Sequence, residues 1–452
     1  MTLLIAGCAV GPAYQRPTTA EVNAYKEASD WVVAAPADAL ERGAWWRLFN
    51  DPVLNDLAER IEVSNQNVAA ALAAYAQARA LVNEQRAGLF PSVTLGSGVT
   101  RSENAGTARN NYQASLGVSW EPDVWGRLQS FSNNATASAA ASAADLATAR
   151  MSAQGELVVN YLSLRQQDAQ KALIASTLAG YARALDITQN RYAAGIASKT
   201  DVLQAQAQLA NAKADEAGLQ RTRAQLEHAI AVLVGQAPGN FNLVALHNWK
   251  PTVPDVPLGI PSKLLQRRPD IAAAERRVAS ANAQIGIAKA AFYPSFNLNA
   301  SIGTSASRVA DLFSAPMSLW SLGWSAAQVV FKGGVLNARL DSANAAYDQT
   351  VARYRQTVLV AFQNVEDQLS AARILQVQHA LRVQTSSAAD QVEQQVLNRY
   401  GSGQVSYTEV ISAQNTALAA RRSLVQATAD RQTTAVALIQ SLGGGWRSED
   451  AK

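Results

Sequence analysis

At Pro294 the hydrophobic period of the chain changes from helical to strand-like, and this switch constrains the fold more than any other stretch. Before it, Ile271, Ala274, Val278, Ala281 and Ile285 recur at three- and four-residue steps, the pattern of one face of an amphipathic helix. After it, Phe296, Leu298, Ala300 and Ile302 alternate with Ser295, Asn297, Asn299 and Ser301, so a strand with one apolar and one polar face is expected. Proline has no N–H to continue a helix and pushes its predecessor towards extended backbone, which places the helix end at Tyr293. The same switch occurs at Pro91, where a helical run through Phe90 passes into Val93, Leu95 and Val99.

The two prolines are 203 residues apart, and the stretches preceding them match. At an offset of 208, Arg191-Tyr192-Ala193-Ala194-Gly195 matches Arg399-Tyr400-Gly401-Ser402-Gly403, and Thr200-Asp201-Val202 matches Thr408-Glu409-Val410. The chain is one unit written twice, with extra residues in the second copy between Pro294 and Gly334. This divides it into a residual signal segment (1–7), an N-terminal arm (8–50), a first repeat (51–235), a Pro-rich linker (236–262), a second repeat (263–443) and a tail (444–452). Each repeat is expected to hold a helix, a β-hairpin (92–121 and 295–330), a long helix (128–194 and 336–400) and a return helix (200–234 and 407–442). The first helix would open at Asp51-Pro52, with Asp as cap and Pro in the first turn, and run to about Gly88. The first long helix contains no proline and, at 1.5 Å per residue, would extend on the order of 100 Å. In the return helix Ala205, Ala212, Leu219, Leu226 and Leu233 keep a seven-residue spacing, a coiled-coil seam.

Charged residues make up only 16% of the 452, against roughly 25% in ordinary soluble proteins. No apolar run is long enough for a transmembrane helix, so a membrane could be crossed only by strands. Four candidates are present, in 92–101, around Ala114 to Trp120, in 295–305, and around Trp320 to Ala326, each near the length a tilted strand needs. Phe90, Trp125, Phe292, Tyr293 and Phe331 fall at their helix-proximal ends, where an aromatic girdle would lie. Hairpins on a soluble core are the alternative, but the flanking helices leave no layer to cover the apolar faces. Four strands cannot close a barrel, and an open edge in lipid leaves backbone groups unpaired at several kcal/mol each. Two copies would give eight strands with a filled interior; three would give twelve and room for a lumen. The fold expected is a mixed membrane protein: long α-helices forming a coiled-coil α-barrel, and four transmembrane β-strands per chain contributing to a trimeric 12-stranded β-barrel.

Leu4-Ile5-Ala6-Gly7-Cys8 has the pattern of a lipoprotein cleavage box, and Cys8 is the single cysteine, so acylation of Cys8 is expected and no intramolecular disulfide can form. Seven residues are too few for a complete signal segment, so the sequence is expected to begin inside one. Trp45, Trp46 and Phe49 read as packing anchors of the arm. The 39 basic and 35 acidic residues are spread along the chain, leaving no basic stripe for nucleic acid. His228, His247 and His379 stand apart with no ligand spacing, and Gly443-Gly444-Gly445 follows a helix instead of preceding one, so neither a metal site nor a phosphate cradle is expected. No enzyme activity and no cofactor beyond the covalent lipid are expected.

The chain resembles the outer membrane factors, the TolC- and OprM-like exit ducts of Gram-negative envelopes, and in particular their NodT-like lipoprotein branch. The resemblance covers essentially the whole sequence. It rests on Gly7-Cys8 with Gly11-Pro12-Ala13-Tyr14-Gln15-Arg16-Pro17, on Trp45 through Pro52, on Arg268-Pro269-Asp270-Ile271 with Ala291-Phe292-Tyr293-Pro294-Ser295, and on Leu442-Gly443-Gly444-Gly445-Trp446. It implies a homotrimer in the outer membrane with a large periplasmic helical tunnel, and substrates received from an inner membrane pump through a periplasmic adaptor. It also places a gate at the turns Arg191 to Gln206 and Arg399 to Gln414. Acidic groups repeated around a narrow mouth would attract cations. Asp201 and Glu409, at matching positions, are the candidate ring, with Arg191, Lys199 and Arg399 as lock partners. Relatives commonly carry aspartate where this chain has Ser412. The competing reading is that Asp201 and Glu409 only serve helix starts at Thr200 and Thr408. The function implied is a passive exit duct for small molecules such as drugs; the alternatives are a type I protein-secretion duct and a structural coiled-coil lipoprotein without a pore.

Overall fold

A computed structural model describes residues 9–19, 24–28, 44–104, 106–246, 249–254, 256, 268–313 and 318–444. Cys8, His247, Pro257, Pro261, Gly445 and Trp446 lie outside the described residues. Seven α-helices and four strands are described: α1 Pro52–Ser64, α2 Gln66–Ala87, β1 Ser92–Asn104, β2 Thr107–Trp120, α3 Arg127–Ala193, α4 Lys199–Leu233, α5 Pro269–Ala290, β3 Ser295–Ala306, β4 Ser318–Ala327, α6 Val335–Gly401 and α7 Tyr407–Ser441. None of the described helices is long and apolar enough to cross a membrane.

Local chemistry accounts for the boundaries. Asp51 caps α1 by accepting from Val53 N and Leu54 N, with Pro52 in the first turn. The helix expected from there to Gly88 is in fact two. Asn65 is extended (φ −71°, ψ 121°), and its side-chain oxygen accepts from Asn67 N and Val68 N to start α2. The end expected at Tyr293 comes earlier, at Ala290, because the turn before Pro294 tightens to three-residue bonds, Phe292 N to Lys289 O and Tyr293 N to Ala290 O. The turn before Pro91 does the same with Leu89 N to Arg86 O and Phe90 N to Ala87 O. Two indoles take up carbonyls left over at these switches: Trp120 Nε1 donates to Leu89 O (3.0 Å) and Trp125 Nε1 to Pro294 O (2.8 Å). Trp125, expected in a girdle, is thus also a cap, and its ring stacks on Tyr293 at 4.8 Å.

The described residues fall into two compact units, and each takes pieces of both sequence repeats. One comprises the described parts of Met1–Thr19, Ala73–Asp145 and Asp270–Thr357. It holds the antiparallel sheet, in the order β1-β2-β3-β4. The arm is strapped along its helices: Val10 N donates to Trp125 O, Asn282 Nδ2 to Pro12 O, Tyr14 Oη to Glu275, Arg16 Nε to Tyr354 Oη and Arg355 Nε to Thr18 O. Gly11 lies against Gly286, so close that a side-chain carbon at Gly11 would stand 3.0 Å from the Gly286 Cα.

The other unit comprises the described parts of Ala20–Leu72, Leu146–Pro269 and Val358–Lys452. Trp45, Trp46 and Phe49 are buried here, as expected of anchors. The duplication reappears in three dimensions. Asn65 Nδ2 donates to Leu233 O at the end of α4 (2.8 Å), and Arg268 Nη1 donates to Ser441 O at the end of α7 (3.1 Å), so equivalent side chains staple equivalent helix ends. The same unit holds a buried ionic network. Asp168, 1% exposed, accepts from Arg165 Nη1 (2.9 Å), Arg223 Nε (2.7 Å) and Leu246 N (3.1 Å). Arg165 also donates to Val244 O and Glu227 accepts from Leu243 N, which fastens 241–246 to α3 and α4.

Candidate functional site

Two regions carry the candidate function, one in each compact unit. The first is the sheet. Its register places Val93, Val118, Ala300 and Leu322 side by side on one face, with Leu95, Leu116, Ile302 and Trp320 in the next row and Trp120, Leu298 and Trp324 on the other side of the first. The opposite face presents Ser92, Ser119, Asn299 and Gly323, then Thr94, Gly117, Ser301 and Ser321. Leu95, Ile302, Trp320, Leu322 and Trp324 are exposed, so none of the described residues covers the apolar face. From Trp120 to Tyr112 this belt follows about 27 Å of strand at ~3.4 Å per residue, or roughly 20 Å once tilted, close to the apolar band of a membrane barrel. Hydroxyls on the polar face satisfy one another, Ser92 with Ser119 and Ser301 with Ser321, both at 2.8 Å. Among the described residues, β1 and β4 are each paired along one side only.

The second region is the pair of turns joining α3 to α4 and α6 to α7. Each helix closes on a glycine with positive φ, Gly195 at 76° and Gly403 at 74°, a conformation that carries no Cβ penalty only in glycine. The return helices are capped by Ser198 and Ser406: α4 starts one residue before the expected 200, and α7 starts at Tyr407 as expected. In each case the serine bonds the N–H of the residue three on, and that residue's carboxylate, Asp201 or Glu409, bonds back to the serine N–H. The two carboxylates therefore complete capping boxes; Asp201 is half-exposed and Glu409 exposed. The S-x-x-D and S-x-x-E spacing that signals such boxes is present in the sequence.

The basic candidates separate. Arg191 donates to Tyr400 O (2.9 Å) and lies over the Tyr400 ring, 4.8 Å from its centre, away from either carboxylate. Lys199 sits exposed in the first turn of α4, and Arg399 and Ser412 are exposed on α6 and α7. Tyr400 packs with Tyr407, their rings 5.6 Å apart, in a buried cluster with Ala184, Ala205 and Val410. Burial pushes the Tyr407 phenol up to about 12. Sequence reasoning missed both tyrosines; the Arg-Tyr pair written twice was the available signal. His228 is exposed, and His379, half-buried against Thr428, is lowered by burial. No metal-holding cluster occurs among the described residues.

Comparison with known proteins identifies the family to which the chain is similar. The family model described as outer membrane efflux protein matches residues 57–236 and 260–444. The antibiotic efflux pump outer membrane protein ArpC of Pseudomonas putida is 31% identical over 98% of this chain and 94% of its own length. The pyoverdine export outer membrane protein OpmQ of Pseudomonas aeruginosa is 29% identical over 99% of this chain and 96% of its own. Among solved structures, the outer-membrane channel OprN superposes with a TM-score of 0.87 at 31% identity, covering 98% of this chain and all of the other.

Proposed function

Because the chain belongs to the outer membrane efflux protein family, we propose that it works as a homotrimer whose twelve strands close one barrel and whose helical turns gate its periplasmic entrance. It is the outer membrane channel component of a tripartite efflux pump, working with an adaptor and an inner membrane pump. The observation that carries the trimer is the four-stranded sheet with one bare apolar face, one polar face and two open edges. In lipid those edges must be paired, and three copies of four strands pair them around a polar lumen. Cargo passes passively and without catalysis. Its class is small molecules, in keeping with the antibiotic and pyoverdine exporters among the relatives. At the turns, Asp201 and Glu409 cap their helices and lend negative charge to the mouth. Cys8 carries the acyl anchor. In support, the chain that follows it is tied at Val10 to Trp125, beside the helix-proximal strand ends, where acyl chains would enter the bilayer.

Thiol accessibility on intact cells tests this reading. Ser301→Cys, on the polar face, should react with small membrane-impermeant reagents, while its neighbour Ile302→Cys, on the apolar face, should not. Equal reactivity at the two positions, or purified protein without unit currents in planar bilayers even after Asp201→Ala and Glu409→Ala, would remove the duct.

A further inference from the structure

Because the chain is written twice, each contact between the repeats defines a counterpart pair of positions with the roles exchanged. On α3 the positions Gln166, Leu173, Ala184 and Arg191 share one face, since steps of seven and eleven both return to the same side of a helix. That face is covered by the second repeat of the same chain. Gln166 bonds Gln426, Leu173 packs on the cluster containing Leu418, Ala184 packs with Tyr400, Tyr407 and Val410, and Arg191 takes Tyr400.

The equivalent face of α6 is bare. At the offset of 208 it holds Ile374, Leu381, Val392 and Arg399; the three apolar residues are 48%, 55% and 51% exposed, and Arg399 is exposed with no partner among the described residues. The counterpart of Tyr400 is Tyr192, which is 48% exposed where Tyr400 is 7%. The chain thus contains one complete arginine–tyrosine clamp and the two unmatched halves of another. Tyr192 and Arg399 stand on α3 and α6, each with the half that the other needs.

We propose that Arg399 clamps Tyr192 of a second copy of this chain, with its guanidinium over the ring and bonded to the Tyr192 carbonyl, as Arg191 does to Tyr400. The first repeat of that copy covers the stripe from Ile374 to Val392. The contact is heterologous, head to tail, and closes a ring. The inference rests on the homotrimer reading and adds to it: three clamps within chains alternate with three between chains, so the entrance is fastened by six like contacts. It also removes Arg399 from the service of Asp201 and Glu409, giving it a tyrosine instead of a carboxylate.

Cysteine cross-linking tests it on the intact protein. After oxidation, Tyr192→Cys/Arg399→Cys should run as linked dimers and trimers on non-reducing gels. Arg191→Cys/Tyr400→Cys should close its bridge within single chains, and each single variant, still carrying Cys8, should stay monomeric. A native mass of three chains with the first pair unlinked and the second linked would overturn the proposal and leave the trimer standing. A monomeric native mass would instead sink the homotrimer itself. As a second measure, Arg399→Ala and Arg191→Ala should raise single-channel conductance by comparable factors. An effect confined to Arg191→Ala would refute the equivalence.

Discussion

Replacing Asp168 by alanine should loosen the seat of the segment that leads out of the first repeat. The carboxylate is 1% exposed and holds two guanidiniums and one backbone N–H, and Arg165 beside it is 2% exposed. Deleting it strands Arg165 with a carbonyl at Val244 and the face of Tyr161, and leaves Leu246 N without its acceptor. Removing one partner of a buried ion pair costs about 3–5 kcal/mol, because the remaining charge stays desolvated. At about 1.4 kcal/mol per factor of ten, local opening should become about 10²- to 10³-fold more frequent or greater. Amide hydrogen exchange at Leu243 reads this directly, since its N–H bonds Glu227 and is not itself altered. Loss of Leu243 protection with α7 unchanged is expected. A change below about tenfold would refute the argument, by showing that Glu227 alone neutralises the cluster.

Asn65→Ala removes both the cap of α2 and the staple to Leu233 O; a loss of about 2–3 kcal/mol is expected, read as a lowered melting temperature of the assembly. Gly235→Ala forces a side chain into positive φ (70°), with its Cβ 2.3 Å from Ser64 O; misfolding or strongly reduced yield is expected, whereas wild-type yield would show that α4 can shift. Alkali should destabilise the helical turns through Tyr407. The buried phenol keeps its proton to about pH 12, while an unfolded tyrosine releases it near 10, so the folded state binds more protons in between. The stabilisation is full below pH 10 and roughly 3 kcal/mol is lost as the pH rises to 12. Tyr407→Phe should remove one phenol from the late part of the tyrosinate absorbance titration, and an unchanged curve would contradict this.

The sheet and the long helices were legible because their signals are periodic and repeated: alternation after Pro91 and Pro294, and an unbroken helical pattern between Arg127 and Ala193. The break at Asn65 was not, since one asparagine in a helical run has no proline or glycine beside it and acts through a carbonyl 168 residues away. The turns are marked in the sequence by their glycines; the partners of their side chains are not. Asp201 and Glu409 read either as an acidic ring or as groups serving helix starts, and their first partners are the backbone N–H groups of Ser198 and Ser406. Arg191, expected as a lock partner, ties α3 to α6 through Tyr400, because a guanidinium both stacks on a ring and bonds a carbonyl and Tyr400 offers both.

The strapped arm has a consequence for biogenesis. Residues 10–18 are translated well before their partners at Glu275, Asn282, Tyr354 and Arg355, which follow hundreds of residues later. The arm therefore finds its seat only once the second repeat has been made.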